Sequence, residues 1–518
     1  MPARRRPCWR RPQRTEPRGG SALGAVDLAV VALYLAGVVA AGAFLAGRQR
    51  TTAQYFLGGR RVPWPAISAS IVATETSTIT FLSVPGIAYA RGGDLTFLQL
   101  VLGYLAGRVV ISVLFVPRYF EGELLTVYEL LRGRFGHGVK AVAASLFVAM
   151  RTVADGIRLL LTALVLAAVA GAFAPGLDRE TAVVLACAGL GLVMVLFTLW
   201  GGMEAVIWVE VAQLGIYLAG ALAAAWVLAG RVSGGLAGAF ALAEGAGKLR
   251  VLDFSLRGDG SFVTFWAGLV GGCFLTMSTH GTDQYLVQRY LCTDRPGRAA
   301  AALLLSGAVV LVQFAGFLSI GLLLFAFYRP DRLPGYLTGP AAAPFARGDA
   351  VFADFVAHHL GSPLSGLVVA AILAAALSSS LNSVAATVVS DLYRPLRPGE
   401  PDRRYLALSR WLTVLAGAAQ VAVALAARRS GGSALDRALA VASLLNGPVL
   451  GVFLLGAFTR RARGREALVG MACGVAAVLP VWLLTKVPWP WYAAIGSLTT
   501  LAAGSLASGL LARPSEAA

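Results

Sequence analysis

Apolar stretches, each long enough to cross a lipid bilayer, follow one another from residue 24 almost to the end of the chain, with short polar segments between them. They run on for about 20 residues rather than alternating at period two, which excludes the strands of a membrane barrel. Lipid gives an exposed backbone amide or carbonyl no partner, so such runs must be helices. The pattern predicts about thirteen spans, near 24–46, 63–90, 95–117, 139–171, 181–200, 204–229, 262–285, 299–328, 364–393, 405–427, 434–458, 466–485 and 488–511. The runs at 139–171 and 364–393 exceed a bilayer's thickness and are expected to tilt, kink or project. The longest loops, 230–261 and 329–363, are expected to cover one face of the bundle, with no soluble domain attached.

Composition agrees with that pattern. Of 518 residues, 57% are hydrophobic and 14% charged, where a soluble domain carries about a quarter charged residues. A formal charge of +18 raises the possibility of a nucleic-acid partner, but the distribution of the arginines excludes it. They sit in short loops: Arg48, Arg50, Arg60 and Arg61; Arg118, Arg132 and Arg134; Arg289, Arg295 and Arg298; Arg394, Arg397, Arg403 and Arg404; Arg460, Arg461, Arg463 and Arg465. Lightly charged loops at 172–180, 428–433 and 486–487 alternate with these. The bias predicts an N-terminus outside and a C-terminus in the cytoplasm. The arginine-rich tail, residues 1–23, opposes that orientation and is expected to be disordered or an over-called start; no apolar run directly follows its arginines, as a signal peptide requires. The cysteines (Cys8, Cys187, Cys273, Cys292 and Cys473) and the histidines (His137, His280, His358 and His359) show no metal or disulfide spacing. No transition metal and no enzymatic centre are expected.

Ionisable groups inside spans are candidates for function. Arg108 is one. Arg151, Asp155 and Arg158 share a helical face at i, i+4 and i+7 and are expected to form structural ion pairs. Glu75 lies in "SASIVATETSTITFLSVPG", amid hydroxyl-bearing residues that compete for the backbone and weaken a helix. Pro85–Gly86 then permits a break. Glu210 stands as a lone carboxylate in "GGMEAVIWVEVAQLGIYL" and requires a cation, a proton or a buried donor. A second weakened span reads "GGCFLTMSTHGTDQYLVQRYL", residues 271 to 291, and contains His280. Two interrupted spans five helices apart indicate an inverted-repeat transporter with a midplane site.

These segments resemble the sodium:solute symporter family over nearly the whole chain. "VPWPAISASIVATETSTITFLSVPG", "FLQLVLGYLAGR", "RTVADGIRLLLTALVL", "GGMEAVIWVEVAQ", "GTDQYLVQRYL", "SSSLNSVAATVVSDLYRP" and "NGPVLGVFLLGAFTRR" occur in family order. The resemblance implies an all-α polytopic membrane protein of LeuT type in a bacterial inner membrane. After the tail would come an accessory span (24–46), two five-helix repeats of opposite orientation (63–229 and 262–458) and two further spans (466–511). Solute would lie between the broken spans 2 and 7, facing Glu75, Thr78, Thr80, Thr276, Thr279 and His280. Sodium would lie between spans 2 and 9, on the carbonyls of Ala73, Thr76 and Ile372.

Here the chain departs from the family. The hydroxyl pair expected sixteen and fifteen residues before Asp391 is replaced by Ala375 and Ala376. The serines of a second sodium site found in some members are present as Ser378 and Ser379, and Glu210 stands where those members carry an aspartate. Ala375, Ser378, Ser379 and Asn382 form one helical stripe, so its polar part is displaced by one turn, about 5 Å. Sodium, a hard cation, requires oxygen ligands. The expectation is a secondary active symporter importing a small organic solute through a shifted or weakened sodium site, without a cofactor other than Na+ or H+. The alternative is proton coupling through Glu210. A channel, which lacks a filter motif here, and a transport-fold sensor, which lacks a signalling domain, are less favoured. Asn446, before Gly447–Pro448, marks either a hinge or a simple kink.

Overall fold

The computed structural model describes residues 24–44, 49–122, 124–173, 176–255, 264–332, 342–345, 347–376, 380–429 and 444–510. Ser378 and Ser379 therefore lie outside the described residues, and the side chains of Thr78, Ala375 and Ala376 are likewise not described. Among the described residues every regular element is helical. Ala25–Phe44, Arg179–Arg231, Pro296–Tyr328, Asp402–Ala427 and Gly464–Leu484 are each long and apolar enough to cross a membrane. A sixth span is the pair Trp64–Glu75 and Thr80–Tyr89, bent by 62°.

The bundle is described with α1 (Ala25–Phe44), α2 (Trp64–Glu75), α3 (Thr78–Tyr89), α4 (Leu98–Leu114), α5 (His137–Phe173) and α6 (Arg179–Arg231). It continues with α7 (Gly235–Gly245), α8 (Gly272–Gly281), α9 (Gln284–Tyr290), α10 (Pro296–Tyr328), α11 (Gly348–His359), α12 (Leu364–Ala376) and α13 (Leu381–Thr387). The spans expected at 181–200 and 204–229 are two helices joined at a kink at Gly202, and together they are labelled α6. That residue has φ 61° and ψ −157°. A Cβ there would also meet the Tyr55 carbonyl at 2.8 Å, so glycine is needed for both conformation and space. In the same way α4 lies against the π-turn Ala267–Gly271 and α8 at backbone distance: a Cβ on Gly103 would stand 2.1 Å from the Gly268 carbonyl oxygen. Without a hydrophobic force between helices in lipid, such close packing supplies the adhesion.

Span 2 does break, but upstream of Pro85. α2 ends at Glu75, Thr76 turns to extended backbone with ψ 91°, and α3 starts after Ser77. The hydroxyls fix this location by satisfying the freed groups. The Ser77 side chain accepts the Thr80 amide at 3.2 Å, and Thr76 donates to the Val72 carbonyl at 2.8 Å. Pro85 stays inside α3. Gly86 permits close approach rather than a break: a Cβ there would lie 2.3 Å from the Gly348 carbonyl oxygen at the start of α11. Span 7 breaks between α8 and α9, where Asp283 caps α9 by accepting the Tyr285 amide at 2.9 Å.

The far end of α3 is held by a loop. Lys248, 2% exposed, donates from Nζ to the carbonyls of Ala88 (2.9 Å), Tyr89 (3.2 Å), Ala90 (2.6 Å) and Gly93 (3.0 Å). Its ammonium also lies 4.7 Å from the Phe325 ring centre. One cation thus satisfies the orphan carbonyls of a helix end. Lys248→Met leaves them without it and is expected to lower stability by about 2–4 kcal/mol. Thermal unfolding in detergent measures the loss, and faster amide exchange across residues 88 to 93 locates it.

Candidate solute and cation site

At the breaks in spans 2 and 7, α2 packs against α9 and its last residue, Glu75, meets His280 of α8, and three sets of buried charges lie around them. In the first, Glu75 at the end of α2 pairs with Arg108 of α4, and its second oxygen lies 2.8 Å from His280 Nε2 on α8. His280 Nδ1 lies 3.0 Å from the Thr279 hydroxyl. Arg108 is fully buried, and its Nε and Nη1 have no hydrogen-bond partner. Thr80 is spent on the Ser77 cap, with its hydroxyl 3.1 Å from that of Ser77. Thr276 packs against the bare Cα of Gly107 on α4, where an added Cβ would come within 2.8 Å of it. Of the six residues expected to face solute, Glu75, Thr279 and His280 are therefore joined in one network, whereas Thr80 and Thr276 serve helix capping and packing.

The second set alters the reading of Glu210. It is not a lone carboxylate. Arg289 on α9 grips both of its oxygens, through Nη2 at 2.5 Å and Nε at 3.1 Å. Ser70 of α2 donates to Oε2, and Thr74 donates to Oε1 at 3.1 Å. The charge pattern of the sequence groups Arg289 with the loop arginines, yet its side chain is wholly buried. The signal available was local: Arg289 follows Tyr285 by one helical turn, and its guanidinium lies 4.5 Å from that ring's centre. A cation site or a proton on Glu210 would require Arg289 to release the carboxylate.

In the third set, Asp155 Oδ1 stands 3.6 Å from Arg151 Nη1 and 3.5 Å from Arg158 Nη1 on α5. The ladder also reaches across helices, since Arg151 pairs with Asp283 at the span 7 break and Ser380 donates to Asp155. Asn382, on the stripe predicted to continue from Ser379, accepts a bond from the Gln288 amide at 2.7 Å and so ties α13 to α9.

The three carbonyls expected to hold sodium differ in their surroundings. Thr76 and Ala73 lie at the end of α2, and both are buried. The Thr76 carbonyl accepts the Tyr217 hydroxyl of α6 at 2.6 Å. Its side-chain hydroxyl meets Gln313 Oε1 of α10 at 3.0 Å. Ile372 lies in α12, the element that ends at Ala376. A cation at this break would therefore share Thr76 with Tyr217.

Residues 55–474 match the family model described as "Sodium:solute symporter family". The chain belongs to the sodium:solute symporter family. It is 30% identical over 473 residues, 89% of each chain, to the sodium/sialic acid symporter NanT of Aliivibrio fischeri. It is 30% identical over 444 residues to the human sodium/iodide cotransporter, covering 84% of this chain and 66% of that one. Among solved structures, a Na+-coupled sialic acid symporter in a substrate-bound outward-open state superposes with a TM-score of 0.82 at 28% identity, over 94% of this chain and 98% of that one. The fold is accordingly the LeuT type, and the family is one of membrane transporters rather than enzymes.

Loss of one partner of a buried pair leaves the other charge unmet, at about 3–5 kcal/mol. Arg289→Met is expected to destabilise the protein by that amount. Arg289→Met combined with Glu210→Met is expected to recover most of it, which thermal unfolding of the three proteins at one pH measures.

Proposed function

We propose that this protein is a sodium-driven importer of a small organic solute, working by alternating access. The observation that carries this reading is the pair of facing breaks, at Thr76–Ser77 in span 2 and at Thr282–Asp283 in span 7, in a chain of this family. Broken helices turn their freed carbonyls and amides toward a ligand at mid-membrane. The repeats would be residues 63–229 and 262–458, with the N-terminus outside and the C-terminus in the cytoplasm.

The solute class favoured is an organic acid. Arg108 shares Glu75 with His280 and keeps two donors unused. A solute carboxylate could accept from those two unused donors while Glu75 stays paired with Arg108 Nη2 and His280. Thr78, Thr279 and His280 would then contact the remainder of the solute. The named substrates of the two relatives above, sialic acid and iodide, are in keeping with an anion.

Sodium would be held mainly by the carbonyls of Ala73, Thr76 and Ile372, and weakly, because Ala375 and Ala376 offer no side-chain oxygen. Glu210 would position α2 through Ser70 and Thr74 and would act as a cation or proton carrier only in a state that frees it from Arg289. Of the readings left open by the sequence, the weakened sodium site is favoured over the deeper site at Ser378, Ser379 and Glu210, and over proton coupling.

Proteoliposomes with an imposed inward sodium gradient test the function with a panel of labelled small acids, sugars and amino acids. Accumulation above equilibrium, abolished by a sodium ionophore, is expected for one of the acids. Accumulation that follows only a proton gradient would replace sodium by H+, and passive equilibration would indicate a channel. Restoring the hydroxyls with Ala375→Ser and Ala376→Ser is expected to lower the half-saturating sodium concentration about tenfold, the effect of about one added charge-assisted bond.

A further inference from the structure

A groove of about 490 Å³ runs between α6 and α10, lined by Leu218, Leu222 and Ala225 on one side and by Val312, Gln313 and Gly316 on the other. Leu222 is 69% and Val312 72% exposed. Both are apolar residues on helices built to cross a membrane, so this face is turned to lipid. Gly316 leaves room, since a Cβ there meets nothing within 4 Å. A volume of this size holds a drug-sized molecule.

One lining residue is out of keeping with lipid. Gln313 is 7% exposed, and its Nε2 is buried with no hydrogen-bond partner, while Oε1 lies 3.0 Å from the Thr76 hydroxyl. Turning the amide over would place nitrogen on Thr76 and strand the oxygen instead, so one hydrogen-bonding group is left over in either orientation. In hydrocarbon such a group is costly. A phospholipid of a bilayer centred on α10 would not reach it with a polar atom. Gln313 stands at the midpoint of α10, about 24 Å from either helix end at 1.5 Å per residue. Ester carbonyls lie at the edges of a hydrocarbon layer about 30 Å thick, so at this depth a lipid presents only methylenes and methyls.

We propose that this groove binds an uncharged, lipid-soluble small molecule that carries an amide, ester or alcohol group on an apolar body, and that the Gln313 amide, whose free atom is covered here, turns outward to meet its polar group. The lining contains no ionisable residue, which fits a neutral ligand. The site is connected to the transport machinery. Tyr217, beside Leu218, donates to the Thr76 carbonyl at 2.6 Å, and Gln313 meets the Thr76 hydroxyl at 3.0 Å. Both walls of the groove thus converge on the residue at which span 2 breaks. An occupant that draws the Gln313 amide toward itself competes with Thr76 for it, so the ligand acts on the break without entering the solute path.

Two photoreactive probes of equal length, a fatty amide and a plain alkane, each bearing a diazirine, test this on the full-length protein in phosphatidylcholine nanodiscs. Saturable amide adducts are expected on peptides covering residues 218–225 and 308–320, displaced by excess unlabelled amide. Gln313→Leu is expected to weaken amide labelling by about five- to tenfold, as loss of one hydrogen bond does, and to leave alkane labelling unchanged. Gly316→Trp should block both probes, with Gly316→Leu as the milder filler if the tryptophan variant does not fold. Equal labelling by the two probes, indifferent to Gln313→Leu, would mean that bilayer lipid simply coats the groove and would overturn the proposal. Absence of saturable labelling would do the same. Labelling needs no transport, so the result stands apart from the identity of the solute or coupling ion.

Discussion

A carboxylate carried into a bilayer must find a cation, and the pairing of Glu210 with Arg289 meets that demand where most of the candidate site converges. The guanidinium reaches both oxygens from α9, while Ser70 and Thr74 complete the shell from α2. Three elements are fixed to one another by one buried pair. Such a pair repays its desolvation only when its remaining acceptors are also satisfied, and the two hydroxyls do this. They belong to the polar run that first marked span 2 as abnormal.

Irregular backbone at membrane depth survives only where protein covers it, and the two breaks obey that rule. At Thr76 the freed carbonyl faces Tyr217, not lipid. At Asp283 the carboxylate is divided between the Tyr285 amide and Arg151. Tyr285 itself lies beneath both Arg151 and Arg289, whose guanidiniums stand 4.3 and 4.5 Å from its ring centre. The charge ladder of α5 and the Glu210 pair are therefore neighbours through a single aromatic ring. The span 7 break thus touches both charge sets.

The same economy constrains how a cation can be held. With alanine at residues 375 and 376, α12 offers no side-chain oxygen there, so the proposed site would rest mainly on the carbonyls of a broken helix. Thr76 is already engaged by its carbonyl and its hydroxyl. In the proposed site, a cation on the Thr76 carbonyl would share that residue with Tyr217 of α6 and Gln313 of α10, which would couple its occupancy to both helices.

The helical, membrane-crossing character of the chain was legible from its hydrophobic pattern, because exclusion from lipid acts on each segment by itself. The weakness of spans 2 and 7 was legible for the same reason, since a hydroxyl competes with its own helix whatever its neighbours are. Which peptide gives way was not legible. Pro85–Gly86 looked like the break, but the caps offered by Thr76 and Ser77 stabilise one upstream, and Gly86 serves the contact with α11. The partner of each charge was equally hidden. Glu210 read as isolated and Arg289 as a loop residue, because they are 79 positions apart and meet only when α6 and α9 are packed together. Sequence by itself determined which segments lie in lipid and which of them are unstable as helices, both being local free energies. The tertiary structure alone decided how the buried charges and carbonyls are matched, since each match depends on which helices become neighbours.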